Sequence, residues 1–240
     1  MSKKSEIRIN KYLSDRQICS RRQADRLIEK GLVLVNGKKA VLGQKLGPAD
    51  KVTLKNEARV LQSKYKYYIY NKPVGIVSHK TAENEREARE VLKLPKDFAP
   101  VGRLDKASEG LLFLSNDGRI VDRMLNPKYK HEKEYMVWVD KNIKNRDIKR
   151  LQTGVDIEGY LTRPARAEKL SERKLRIVLY EGKKHQIRRM LAALGYAVKR
   201  LKRVRIMNLK LGDLRVGQAR ELSEEEKREL SDNLSIKLNM

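Results

Sequence analysis

Residues 102–110, Gly-Arg-Leu-Asp-Lys-Ala-Ser-Glu-Gly, run without a break into the apolar segment Leu111-Leu112-Phe113-Leu114-Ser115. Glycine permits the tight turns that an irregular loop needs, and the short apolar run after it reads as a buried strand. Asp105 is therefore presented on a loop held by neighbouring strands, the usual address for a reacting group. Taken alone, an Asp in such a turn more often bonds its own backbone. The chain around it carries 56 Lys+Arg against 31 Asp+Glu, a formal net charge of +25. A carboxylate set in such an excess of positive charge looks like a reagent or an anchor.

The basic excess is larger than solubility requires and reads as an electrostatic footprint for RNA or DNA. No apolar run approaches the length of a membrane span, and residues 1–10 lack the apolar middle of a secretory signal. A soluble, cytoplasmic protein with no membrane partner is expected. The single cysteine, Cys19, and three scattered histidines have no metal-ligand spacing, so no structural metal is expected. Self-repulsion in so basic a chain points to a monomer.

At 240 residues the chain is long enough for one mid-sized domain and a small appendage. The small unit comes first. Ser20-Arg21-Arg22-Gln23 has the form of a capping box, and Ala24, Leu27 and Ile28 make an apolar stripe opposite Arg21, Arg22 and Arg26. A shorter helix is expected over residues 9–13. A hairpin follows through the turn Asn36-Gly37, spanning residues 32–41, and then a strand over residues 51–54. The unit closes near residue 60, with a linker at about residues 56–64.

The larger unit, residues 65–240, mixes strands and helices. Strands are expected over residues 65–70, 111–115, 134–139 and 174–179. Helices are expected over residues 81–94, 119–125 and 185–194, and a further one after the capping box at Ser223. Asn71-Lys72-Pro73-Val74-Gly75 reads as a turn. The fold class is α+β, built on a mixed, mainly antiparallel sheet. Residues 199–205 carry a dense basic stretch, expected to be shared between RNA backbone and solvent.

Two sets of motifs carry a resemblance. Ile9-Asn10-Lys11-Tyr12-Leu13, Cys19-Ser20-Arg21-Arg22-Gln23-Ala24-Asp25 and Val33-Leu34-Val35-Asn36-Gly37 resemble the S4 RNA-binding domain of ribosomal proteins and RNA-modifying enzymes. Asn71-Lys72-Pro73-Val74-Gly75, the Asp105 segment, Lys133-Glu134-Tyr135 and Glu181-Gly182-Lys183-Lys184-His185-Gln186-Ile187-Arg188-Arg189-Met190 resemble, in order, the elements of bacterial ribosomal-RNA pseudouridine synthases of the RsuA type. The likeness spans nearly the whole chain. It implies conversion of a uridine in ribosomal RNA, or in a ribosome-assembly particle, to pseudouridine. Residues 19–26 and 205–208 favour the large-subunit branch, with the small-subunit branch as the alternative.

The resemblance also implies roles. Asp105 would be the nucleophile, Arg188 the cation that pairs with it, and Tyr135 the ring that stacks on the target base. A carboxylate held out of water needs such a fixed cation to stay ionised, and arginine cannot surrender its proton to it. Lys72 and Pro73 would support the pocket. Lys11, Arg21, Arg22, Arg26, Arg103 and Arg189 would contact RNA, although Arg103 could equally pair with Glu109. His185 invites a general-base reading against packing or RNA contact. The isomerisation needs no cofactor. A non-catalytic assembly factor would need no acid in its cleft, and an RNA hydrolase would want a carboxylate cluster or His pair that the chain lacks.

Overall fold

The computed structural model describes residues 6–56 and 65–238. The expected linker at residues 56–64, apart from Asn56, lies outside the described residues. The N-terminal unit holds α1 (Ile9–Asp15) and α2 (Arg21–Glu29), then β1 (Val33–Val35), β2 (Lys38–Lys39) and β3 (Val52–Leu54). β2, β1 and β3 form an antiparallel sheet in that order. Both halves of the capping box at Ser20 and Gln23 are made. At the hairpin turn Asn36 and Gly37 both have positive φ, at 51° and 81°, the twist that a two-residue hairpin prefers. Ile9, Leu13, Ala24, Leu27, Ile28, Val33 and Val35 close the small core.

The larger unit is built on β4 (Tyr67–Lys72), β5 (Glu109–Ser115), β6 (Lys133–Val139), β7 (Arg166–Ser171), β8 (Lys174–Leu179), β9 (Val198–Ile206) and β10 (Ala219–Glu221). These lie in the order β7-β8-β6-β9-β5-β4-β10, with two short strands, Ala99–Pro100 and Leu209–Lys210, on β5 and β9. Every pairing is antiparallel except β9 against β5. Helices α3 (Ile120–Leu125), α4 (Asn145–Thr153), α5 (Gln186–Ala193) and α6 (Glu224–Leu234) cover the sheet.

β5 is buried along its whole length. Leu111 and Phe113 join Tyr67, Ile69 and Leu230 of α6 in one core, while Leu112 and Leu114 join Tyr70, Ile76 and Leu104 in another. The alternation of a strand sends neighbours to opposite faces, so a continuous apolar run is what a strand covered on both sides requires. Under the other half of the sheet, Val137, Leu175 and Ile177 meet Ile148 and Leu151 of α4 and Met190 and Leu191 of α5.

Four elements depart from expectation. Residues 81–94 contain only one helical turn, Ala88–Val91; Glu85 and Glu87 accept the backbone N–H groups of Thr81 and Lys80, and such local bonds compete with a helix. The first strand runs to Lys72 rather than Tyr70. His185 precedes its helix as the N-cap. The basic stretch at residues 199–205 lies within the nine-residue strand β9, in the middle of the sheet.

The two units touch where the N-terminus of α2 meets the turn after β5. Gln23 Nε2 donates to the Asn116 carbonyl at 3.0 Å. A Cβ on Gly118 would fall 2.5 Å from Ser20 Cβ, so this contact requires glycine.

The parallel pair β5–β9 requires another. Gly110 pairs with Arg203, has φ of 101°, and a Cβ there would lie 2.2 Å from the Arg203 carbonyl oxygen. Gly110→Ala is expected to cost about 3 kcal/mol or more through forced overpacking, a fall of roughly 6–12 °C in Tm for a chain this size. Thermal melts beside Gly182→Ala, whose Cβ position has nothing within 4 Å, check this; equal Tm values for the two variants would contradict it.

Candidate active site

The loop that carries Asp105 is fixed from three sides. Ser108 N donates to the Asp105 carbonyl at 3.0 Å and Gly75 N donates to the Lys106 carbonyl at 2.8 Å. Leu104 N donates to Ser78 Oγ, which donates in turn to the Leu104 carbonyl, both at 2.8 Å. Ser78 is thus a loop anchor that the sequence reading missed; one serine hydroxyl gives no sequence pattern to find it by.

Lys72 is fully buried. Its Nζ donates to the carbonyls of Pro73 and Ile76 at 2.8 and 2.7 Å, which closes the 72–76 turn that Gly75 extends to the Asp105 loop. Burial, and then the nearby Arg203 guanidinium, push the Lys72 ammonium down to about 8. Lys72 and Pro73 therefore sit behind the loop rather than in front of it.

In front of the loop is a cavity of about 390 Å³, within the range that small-ligand pockets occupy. Leu104, Leu179, Leu201 and Ile206 give it apolar walls, and Arg103, Lys133, Lys183, Lys184, His185 and Arg203 make it basic. Among the described residues, Asp105 is the one carboxylate that lines it. Tyr135, on β6, lines it two residues after Lys133 and packs against the cores on both sides of the cavity. A larger recess of about 610 Å³ is lined by Glu134, Arg176 and Arg205. Its charges are spent on one another: Arg205 Nε lies 2.8 Å from Glu134 and Arg176 pairs with Glu134 and Glu168.

The ion pair expected between Asp105 and Arg188 is not present among the described residues. Arg188 donates instead to the carbonyls of Ala107 and Val198, at 2.9 and 3.1 Å, and its Nε is buried without a partner. It ties the backbone of the Asp105 loop to β9. The partner of the Asp105 carboxylate is His185, with Nδ1 at 3.0 Å from Oδ2. His185 has φ of 52°, a conformation uncommon in a residue other than glycine, and as N-cap it precedes the helix that carries Arg188. Gln186 fixes this corner by accepting from Lys183 N and donating to the buried Glu181 at 2.8 Å.

Arg103 is exposed at the cavity mouth, and Glu109 pairs with Arg200 rather than with it. Arg189 is committed to Glu158 at 2.9 Å and to the Ile157 carbonyl, so its hydrogen bonds go to protein. Lys11, Arg21, Arg22 and Arg26 are exposed and form no ion pair among the described residues. The residue that sequence reasoning most clearly missed is Arg203, only 3% exposed. It sat within a basic stretch; its signal was alternation, since Leu201 and Arg203 share an inward face of β9.

No group of three or more metal-ligating side chains occurs among the described residues, and no helix there is long and apolar enough to cross a membrane. A family model described as RNA pseudouridylate synthase matches residues 66–193, and one for the S4 domain matches residues 7–52. The chain is 42% identical over 226 residues to the dual-specificity RNA pseudouridine synthase RluF of Escherichia coli K12, covering 92% of this chain and 77% of the relative. It is 34% identical to the ribosomal large subunit pseudouridine synthase B of Bacillus subtilis, covering 93% and 95%. A crystal structure of a pseudouridylate synthase superposes with a TM-score of 0.70 at 26% identity, covering 93% of this chain and 99% of that one. With matched motifs, fold and length in agreement, the chain belongs to the RsuA-type family of RNA pseudouridine synthases that carry an N-terminal S4 domain.

Proposed function

We propose that this pseudouridine synthase isomerises a uridine of large-subunit ribosomal RNA, with Asp105 as the nucleophile. The observation that carries the reading is the placing of Asp105: the single carboxylate among the described lining residues, on a braced loop, in a pocket whose other charged side chains are basic. Isomerisation breaks the N1–C1′ bond, turns the base, joins C5 to C1′ and releases the C5 proton. A carboxylate can attack C1′ directly or assist departure of the base. The large-subunit target is supported by the name of the Bacillus subtilis relative. The Escherichia coli relative is called dual-specificity, which favours, as a second reading, action on more than one RNA.

The target base must leave its stack to enter the cavity, at a cost of a few kcal/mol. Tyr135 faces the cavity and can return part of that cost by stacking. Arg188 holds Ala107, two residues beyond Asp105, so its role is to position the loop. His185 faces the carboxylate until substrate enters. Lys72 and Pro73 support the turn behind, and exposed Arg103 is available to the displaced strand. The S4 unit docks through Lys11, Arg21, Arg22 and Arg26, whose charges no protein carboxylate neutralises among the described residues. Self-repulsion at +25 supports a monomer.

Release of tritium from uridine C5 tests the reaction. Wild-type protein should release it from large-subunit RNA, and Asp105→Asn should lower the rate by about 10⁴-fold or more while RNA affinity holds. Small-subunit RNA and small cellular RNA, assayed in parallel, separate the single-target reading from the second one. Absence of release by wild type from any of them would leave a binding protein. Arg21→Glu with Arg22→Glu should instead weaken RNA binding and reduce the slope of log K against log salt by about 1.4–1.8, given about 0.7–0.9 per lost phosphate contact. An unchanged salt slope would remove these residues from the interface.

A further inference from the structure

Cleavage of the N1–C1′ bond leaves both bonding electrons on the ring, so the departing uracil carries negative charge spread over N1, O2 and O4. Asp105 repels that charge. A pocket complementary to the transition state needs cations on the side where the base departs, and these must be set before the reaction begins.

Arg203 and Lys133 are two such cations. Arg203 lies in the cavity wall, where Nε donates to the Leu111 carbonyl at 2.8 Å and Nη1 to the Arg103 carbonyl at 3.1 Å. Its Nη2 is buried without a hydrogen-bond partner. A buried donor left unmatched costs free energy and calls for an explanation. Lys133 lines the same cavity on the face of β6 that carries Tyr135, and its Nζ has one long hydrogen bond, 3.4 Å to the His131 carbonyl. Neither side chain forms an ion pair among the described residues, whereas Arg200 and Arg205 on the same strand as Arg203 both do. Burial, and then Arg203, bring the Lys133 ammonium down to about 8, so Lys133 feels the Arg203 guanidinium across the cavity wall. The fold thus holds unneutralised positive charge beside the stacking tyrosine.

We propose that Lys133 and Arg203 form an electrostatic wall that stabilises the uracil anion produced when the glycosidic bond breaks. The proposal rests on the reading of this cavity as the uridine site. Lys133, half-exposed to the cavity, is the catalytic residue of the pair, donating to a ring oxygen. Arg203, closed off from water, is a positioning residue and a fixed source of field, and its clamp on the Arg103 and Leu111 carbonyls holds both ends of the Asp105 loop. The electron count closes without any co-reactant. The N1–C1′ pair passes to the ring and returns as the C5–C1′ bond. Where the Asp105 carboxylate bonds C1′, it recovers its own pair when C5 attacks, and the C5 proton leaves to a base.

The test varies the leaving group. Fluorine at C5 withdraws electrons and stabilises the ring anion without help from the protein. Single-turnover rates and affinities would be measured for wild type, Lys133→Met, Arg203→Lys and Arg203→Gln, on RNA carrying uridine or 5-fluorouridine at the target. Consumption of the N-glycoside would be read by digestion and chromatography. On uridine RNA, Lys133→Met is expected to lose about 10²–10³-fold in rate, the usual effect of removing one such donor, with RNA affinity nearly unchanged. On 5-fluorouridine RNA the loss should shrink by about 10-fold or more. Arg203→Lys, which keeps the charge, should lose less than Arg203→Gln; if the glutamine variant does not fold, the Lys133 pair of measurements stands alone.

Equal losses on the two substrates would overturn the wall. So would an unchanged rate at saturating RNA with weakened affinity, which would make Lys133 a phosphate contact. Wild-type protein inert on uridine RNA would overturn the parent reading of the cavity and this proposal with it, whereas an active wild type with equal losses overturns the wall alone.

Discussion

The contact between the backbones of Gly110 and Arg203 organises the catalytic unit. It makes β9 and β5 the parallel pair in an otherwise antiparallel sheet. The lack of a side chain at Gly110 lets the strands approach. The Arg203 side chain then reaches across to the carbonyls of Leu111 and Arg103, on either side of the loop that carries Asp105. One glycine and one arginine thereby set the strand pairing and the span of the Asp105 loop together. A buried guanidinium is costly unless its hydrogen bonds are met, and two of them are met by carbonyls of this loop region. The arrangement is specific because its partial satisfaction leaves few alternatives.

Charge is distributed around that frame in an ordered way. Away from the cavity, carboxylates are consumed: Glu132 and Glu134 by Arg205, Glu109 by Arg200, and Asp117 by Arg119 and the Tyr67 hydroxyl. Buried acids that are paired and hydrogen-bonded can be tolerated, and they leave the cavity with Asp105 as its acid. On the S4 unit the reverse holds, since α2 keeps Arg21, Arg22 and Arg26 exposed while its apolar stripe is buried. The exposed arginines of α2 and most cations of the cavity lining therefore stand without a carboxylate partner among the described residues.

Local signals in the sequence were strong where the structure is locally determined. The capping boxes at Ser20 and Ser223, the hairpin turn at Asn36-Gly37 and the buried run of β5 each follow from a few adjacent residues. Residues 81–94 misled because their apolar stripe, Ala88, Val91 and Leu92, serves only one helical turn, while Glu85 and Glu87 take up the backbone N–H groups of Thr81 and Lys80 just before it. β9 was read by its basic content, because its core position depends on strands distant in the chain. The pairing of Asp105 with His185 rather than Arg188 likewise depends on a left-handed residue at the entrance to α5, which no neighbouring pattern announces.

The sequence by itself determined the α+β class, the S4 and synthase motifs, the basic surface of α2 and the loop position of Asp105, because periodicity, capping and turn chemistry act over a few residues. Tertiary structure alone decided the partner of the Asp105 carboxylate, the commitment of Arg188 and Arg189 to protein carbonyls and carboxylates, and the burial of Arg203 beside Lys133. Those outcomes depend on which strands lie side by side. Strand order is set by the packing of whole faces, and in this sheet it joins residues about a hundred positions apart, as Arg203 and Arg103 are.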